Sequence, residues 1–244
     1  MIKFFKKDWQ DTKMLFRNMP VEIVVTFTIS IIVMNILANK TIYESEIIAL
    51  DGGILVSWIA FLCMDVTTKH FGPKASTKIS LFSIFVGCIV FVLFYLVSLI
   101  PTKSDFSAFN MVIGGTWFVL LSSVIAMLTS FLVNIFLNWT IGKIFINKNV
   151  QKTEFYLRSY ISTFIAQFVD NFVFSILTFM LFAPIFWNGF SWTFIQCLTC
   201  SLLGAFLELL MEVFFSPIGY KIVLNWQKEN IGENYIKGIK QWKY

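Results

Sequence analysis

The stretch YISTFIAQFVDNFVFSILTF, Tyr160 to Phe179, is long and apolar enough to lie in lipid, yet it sets Gln167, Asp170 and Asn171 at its middle. A charge at the centre of a bilayer costs at least roughly 2.5–3.5 kcal/mol on insertion scales, so such a residue normally faces protein or water and marks a site. Ser159, Thr163, Gln167, Asn171, Ser175 and Thr178 follow one another at steps of four or three, with Asp170 beside that line. The spacing predicts a helix with a single polar stripe on a surface of Phe, Ile, Val and Leu, the stripe turned away from lipid.

The rest of the chain agrees with a membrane reading. Of 244 residues, 57% are hydrophobic and 14% charged, and the mean hydropathy is +0.76, far from the balance of a water-soluble domain. A hydrocarbon core of roughly 30 Å needs about 20 apolar residues in a helix, and six runs qualify. Their approximate limits are 21–38, 47–64, 79–100, 109–137, 156–182 and 192–223, forming one integral membrane domain over residues 1–244 with no soluble domain. Asp51-Gly52-Gly53 lies close to the start of the second run, so its outer end reads as a loop or re-entrant piece. The first run follows a basic segment but is as long as a bilayer is thick and lacks a small-residue cleavage site; it reads as a retained span.

Charge gives the orientation. With the N-terminus in the cytoplasm, only Lys40 and Lys103 of the 19 basic residues fall on the outer side. Six spans with both termini cytoplasmic therefore obey the positive-inside rule, and one span more or fewer would scramble it. The net charge of +5 arises from these inner loops and gives no sign of nucleic-acid binding.

Other spans carry matching polar residues. The last has Ser201, Gly204, Glu208 and Glu212 on one face; the fourth has Thr116, Ser123, Ser130, Asn134 and Asn138; the first has Asn35 and Asn39. Hydroxyls at such positions commonly do no more than bond neighbouring helices, at about 0.6 kcal/mol each. Asp170 and Glu208 read instead as functional, with pairing to Lys69 or Lys78 as the structural alternative. For Asp65 and Glu212, nearer the inner boundary, a salt bridge is at least as good a reading. Cys197 and Cys200 form a CxxC, but on an apolar helix with one His in the chain they read as buried thiols, not as a metal site. There is no HExxH, Walker A, GxGxxG, or GxSxG with a His partner, so catalysis is not expected and no cofactor is implied. Any driving energy comes from a gradient or a partner.

At MDVTTKHFGPKAS (Met64 to Ser76) and RSYISTFIAQFVDNFVF (Arg158 to Phe174) the chain resembles the queuosine-precursor transporters, also described as vitamin-uptake-type membrane proteins. The resemblance covers nearly the whole chain. It includes NILANK (Asn35 to Lys40), Asp65 to Gly72, Arg158 to Asp170, and a last span ending near Pro217 and Tyr220. Many members have Glu where this chain has Lys69, and a last-span Lys where it has Glu208 or Glu212. The resemblance implies uptake of a 7-deazaguanine such as queuine, preQ1 or preQ0 for tRNA modification. It also implies an all-α, six-transmembrane-helix bundle like the substrate-binding subunits of energy-coupling-factor transporters, in the bacterial inner or plasma membrane.

A guanine-like edge carries an N–H beside an NH2 group, which one carboxylate can accept together, while an amide meets the carbonyl. The expected binding residues are Asp170, Asn171, Gln167, Glu208, Asn35 and Asn39, with an aromatic face from Trp117 or Trp58. Asp65, Lys69, Glu212 and Arg158 form a possible charged network. A coupling ion, an energising membrane partner and a homo-oligomer all stay open, and the alternative function is a capture subunit that needs such a partner.

Overall fold

In lipid every backbone N–H and C=O must be paired within the protein, and a helix does this segment by segment. The computed structural model, which describes residues 2–145 and 151–240, is accordingly an all-α membrane fold with one small hairpin. In chain order it has α1 (Ile2–Asn18), α2 (Val21–Leu37), β1 (Thr41–Glu44), β2 (Ala49–Asp51), α3 (Ile54–Phe71), α4 (Pro73–Ser98) and α5 (Ser107–Phe145). It continues with α6 (Gln151–Ser175), a π-helical segment (Ile176–Phe182), α7 (Ala183–Phe186), α8 (Phe194–Lys228) and α9 (Glu233–Lys240). Five helical stretches are long and apolar enough to cross a membrane: Ile54–Phe71, Pro73–Ser98, Ser107–Ser130, Phe164–Phe186 and Phe194–Met211. A sixth crossing results if Asp8–Asn18 and Val21–Leu37, bent by 105° at their junction, count as one span.

Two stretches are defined more closely by the structure than by the sequence. The second apolar run begins as a β-hairpin, and its helix starts only at Ile54, because Asp51-Gly52-Gly53 makes a turn: the Asp51 side chain accepts the Gly53 N–H at 2.7 Å. The basic N-terminal segment is a helix in its own right. Leu15 is buried while Trp9, Lys13 and Arg17 are exposed, the pattern of a helix lying at an interface. Pro20, with no N–H and a restricted preceding residue, separates it from α2.

The chain divides into two compact units. One comprises Met1–Ile32, Val56–Gly87 and Glu212–Tyr244. There α1 packs on α9, Phe16 meets Phe82 with ring centroids 4.9 Å apart, and Lys78 pairs with Asp8 at 3.0 Å. Trp58 stacks on Phe215 at 4.1 Å. His70 bonds the Ile231 carbonyl through Nε2 at 2.8 Å, inside a ring cluster of Phe71, Trp226 and Tyr235.

The other unit comprises Val33–Leu55 and Cys88–Met211. In it α5 packs along α6, and Ala49, Phe179, Trp192, Cys197 and Cys200 form a buried cluster under the hairpin. Leu93, Leu96, Phe109, Leu128, Leu202 and Phe206 stay exposed, while Thr116, Gln167, Ser175, Thr178, Ser201 and Glu208 are buried. That inversion of a soluble protein's pattern is what a hydrocarbon solvent selects.

Gly232 and Gly189 both have positive φ, 71° and 84°, but a Cβ on Gly232 would run into the Phe71 ring, whereas one on Gly189 meets nothing within 4 Å. Gly232→Ala should therefore cost about 2 kcal/mol and lower the thermal midpoint in detergent by roughly 4–8 °C. Gly189→Ala, strained but unobstructed, should lower it by less than half as much, as differential scanning fluorimetry will read.

Candidate functional site

The polar residues of the central spans meet along the seam of α5, α6 and α8, within one unit. The N-terminal part of α8 runs antiparallel to the C-terminal part of α6, so residues that rise along one helix descend along the other. Asn171 Nδ2 of α6 donates to Glu208 Oε2 of α8 at 3.3 Å. Glu208 is only 5% exposed. Gly204, one turn before Glu208, makes room for this amide: a Cβ there would lie 2.9 Å from Asn171 Nδ2.

One turn before Asn171 on the same face, Gln167 is buried and its Oε1 has no hydrogen-bond partner. Asp170, partly buried, accepts a hydrogen bond at 3.1 Å from Ser130 of α5, whose hydroxyl also reaches the Met127 carbonyl at 3.0 Å. Four of the residues expected from sequence thus lie on the facing turns of this seam, and each carboxylate has a neutral donor as partner. The two lysines considered as partners are engaged elsewhere: Lys78 with Asp8, and Lys69 with Asp65 at 3.9 Å. The Lys69–Asp65 pair joins two half-exposed side chains four residues apart, an arrangement worth little. The side chains of Arg158 and Glu212, and those of Ser159, Thr163, Asn134 and Asn138, lie outside the described residues.

Asn35, Asn39 and Trp117 lie apart from that group. Asn39 finishes α2: its Nδ2 donates to the carbonyls of Asn35 at 3.0 Å and Ile36 at 2.9 Å, the last-turn acceptors a helix leaves orphaned, and to Thr116 Oγ1 at 3.2 Å. Asn35 is buried at this end of α2. Trp117 sits edge-on to Phe118 and Phe186 at 5.9 and 5.3 Å, also touching Phe182, so its ring is part of an aromatic core three turns above Asp170.

Sequence reading missed the group toward the hairpin. Asp51 is buried, and its Oδ2 faces the Cys200 thiol at 4.0 Å. Burial pushes its carboxyl up to about 6, against the lowering effect of the Gly53 and Ile54 backbone N–H groups. Trp192 stacks on Phe179 at 3.8 Å, with its indole N–H buried and unpaired, and the Thr178 hydroxyl is likewise buried without a partner. Thr178 and Phe179 belong to the π-helical segment, in which the Ala183 N–H bonds the Thr178 carbonyl five residues back. Pro184, which has no N–H to offer the helix, stands just beyond it. Such π segments recur at functional sites. Asp-Gly-Gly was the available signal for Asp51, as a turn with a capping acid.

A comparison with protein families adds one finding: the family described as "Putative vitamin uptake transporter" matches residues 51–224. The match spans well over half of the chain, both carboxylates of the seam and Asp51, and the chain belongs to that family. Nothing among curated proteins or solved structures matches it.

The contact at Gly204 gives a test of the seam. Gly204→Ala should cost about 1–3 kcal/mol through overpacking against Asn171. In an Asn171→Ala background the same change should cost less than about 0.5 kcal/mol, a coupling measurable as a double-mutant cycle of thermal midpoints. Additive costs would mean that the two residues do not touch.

Proposed function

We propose that this member of the vitamin-uptake transporter family imports a queuosine precursor, a 7-deazaguanine such as queuine, preQ1 or preQ0, and binds it at the Asn171–Glu208 pair. The observation that carries the reading is that pair itself: a buried carboxylate that accepts a long amide hydrogen bond, with an unpartnered Gln167 carbonyl one turn away. At 3.3 Å the bond is longer than the roughly 2.7–2.9 Å of a strong charge-assisted bond, so it is readily exchanged. A guanine-like edge replaces it with better partners. Its ring N–H and exocyclic NH2 go together to the Glu208 carboxylate, and the displaced Asn171 amide turns to the ring carbonyl. The Gln167 oxygen then accepts a further N–H. A ligand bearing an ammonium group brings a cation for which Asp170, now bonded by Ser130, is the nearby acid.

The reading places the protein in the cell membrane, both termini in the cytoplasm, as a transporter and not an enzyme. The family's description by vitamin uptake supports a second reading, a capture subunit for a vitamin or nucleobase that translocates only with an energising membrane partner. Reconstitution of the chain alone in liposomes separates the two: accumulation or exchange of labelled ligand without partners supports the importer, and binding without either supports the capture subunit.

Purified protein should gain about 2.7 kcal/mol of stability from a 7-deazaguanine supplied at 100 times its Kd, and nothing from vitamins, in a thermal-shift panel. Glu208→Gln removes charged hydrogen bonds worth about 1.5–3 kcal/mol and should weaken that ligand by roughly 10- to 150-fold while leaving the unliganded midpoint nearly unchanged. Asp170→Ala should abolish uptake in cells that cannot make queuosine. Normal uptake by both variants would refute the site.

A further inference from the structure

The transporter reading leaves Asp51 unused, and the carboxylate is not built as a surface cap. Asp51 is 5% exposed and sits between the hairpin and α8, beside the cluster of Ala49, Phe179, Trp192, Cys197 and Cys200, none of which is more than 2% exposed. One oxygen takes the Gly53 N–H; the other faces a thiol. A buried carboxylate is neutralised by a cationic side chain, a metal or a proton. Among the described residues, no Lys, Arg or His lies within ion-pair distance of it, and no cluster of three His, Cys, Asp or Glu groups is arranged to hold a metal. With only the Gly53 N–H and the Cys200 thiol against the carboxylate oxygens, a proton is the neutraliser that the described surround leaves.

The hairpin over this group is fastened to α8 by two side chains. Gln196 Nε2 donates to the Ser45 carbonyl at 2.8 Å, and Thr199 Oγ1 donates to the Ile47 carbonyl at 2.6 Å. Asp51 is the ionisable group beneath that fastening. The other titratable groups around it are the Cys197 and Cys200 thiols on α8 and Lys40, Glu44 and Glu46, which are exposed on the hairpin and its approach. Ser175 and Thr178, on the facing turns of α6 and the π segment, offer hydroxyls, and α2 and the first turn of α3 bring no titratable side chain to it.

We infer that Asp51 is a proton-binding site and that its protonation closes the β1–β2 hairpin onto α8 at the end of the transporter that the basic residues place outside. The step is a simple transfer: the carboxylate takes a proton from outer water, becomes a neutral carboxyl that the apolar surround accepts, and the hairpin seals; loss of that proton to the same water restores a buried charge that the sealed state disfavours. The sign follows from burial. The folded, closed state holds the proton more tightly than an exposed carboxyl does, so closure is favoured at low pH and lost as pH rises through about 6. The inference rests on the transporter reading only for its consequence on uptake.

The test therefore has two arms. In proteoliposomes with the inner pH clamped, initial uptake of labelled preQ1 should fall by about tenfold for each unit of outer pH above 6, following the protonated fraction. Asp51→Asn, permanently neutral, should transport at the low-pH rate throughout. Asp51→Ser, which keeps an oxygen for the Gly53 N–H, should do the same if the Asn variant folds poorly. The second arm needs no ligand. With Cys63, Cys88 and Cys197 replaced by Ser, labelling of Cys200 by an impermeant maleimide should rise between pH 5 and pH 7.5 by about tenfold more in the Asp51 protein than in Asp51→Asn, which corrects for ionisation of the thiol itself. Equal labelling profiles, or a pH dependence of uptake that survives in Asp51→Asn, overturn the inference. If no 7-deazaguanine is transported but the labelling profiles differ as stated, the proton site stands and the substrate reading falls.

Discussion

The described seam depends on carboxylates that are taken out of water and held by neutral donors. Glu208 has the Asn171 amide, Asp170 the Ser130 hydroxyl, and Asp51 the Gly53 N–H. In the proposed function these neutral donors are the partners that a ligand's N–H groups, or at Asp51 a proton, replace. The packing follows from that requirement. Gly204 brings the α8 backbone close enough for Asn171 to reach Glu208, and the π segment lets α6 pass Pro184 while Phe179 stacks on Trp192.

The sequence carried the membrane fold because hydropathy, span length and charge asymmetry report on the solvent around the helices and not on how they pair. The α6 stripe was legible for the same reason: a period of 3.6 with polar residues on one side says which side avoids lipid, and Gln167, Asn171, Ser175 and Thr178 lie on it. Helix periodicity does not say which stripe faces which. It was the approach allowed by Gly204 that matched Asn171 to Glu208, and the occupation of Lys69 and Lys78 by other acids was a matter of three-dimensional placement.

Asn39 and Asp51 show what residue type alone does not report. The Asn39 Nδ2 goes to the last carbonyls of α2, an obligation that every helix end carries and that a hydropathy scan does not see, while its Oδ1 is buried without a partner. Asp51 looked like a turn residue beside two glycines. It is one, and it is also buried, because the hairpin folds back over it and α8 closes the other side. Burial of a loop acid depends on contacts about 150 residues away in sequence, such as Cys200, and no local pattern records them.

The separation of Asp51 from Glu208 matters for how the seam works. Cys200 and Glu208 are two turns apart on α8, about 12 Å at 1.5 Å per residue. Two unit charges at that distance interact by only about 1.4 kcal/mol even at an effective dielectric of 20. The field therefore couples the two acids by about tenfold at most, and any stronger dependence of ligand binding on the proton must pass through the structure between them. That structure is short: α8 itself carries the Thr199 and Gln196 fastening of the hairpin at one end and the Gly204–Asn171 contact at the other. On the two proposals together, coupling between Asp51 and the Asn171–Glu208 pair runs along α8, the one helix that bears both sets of contacts.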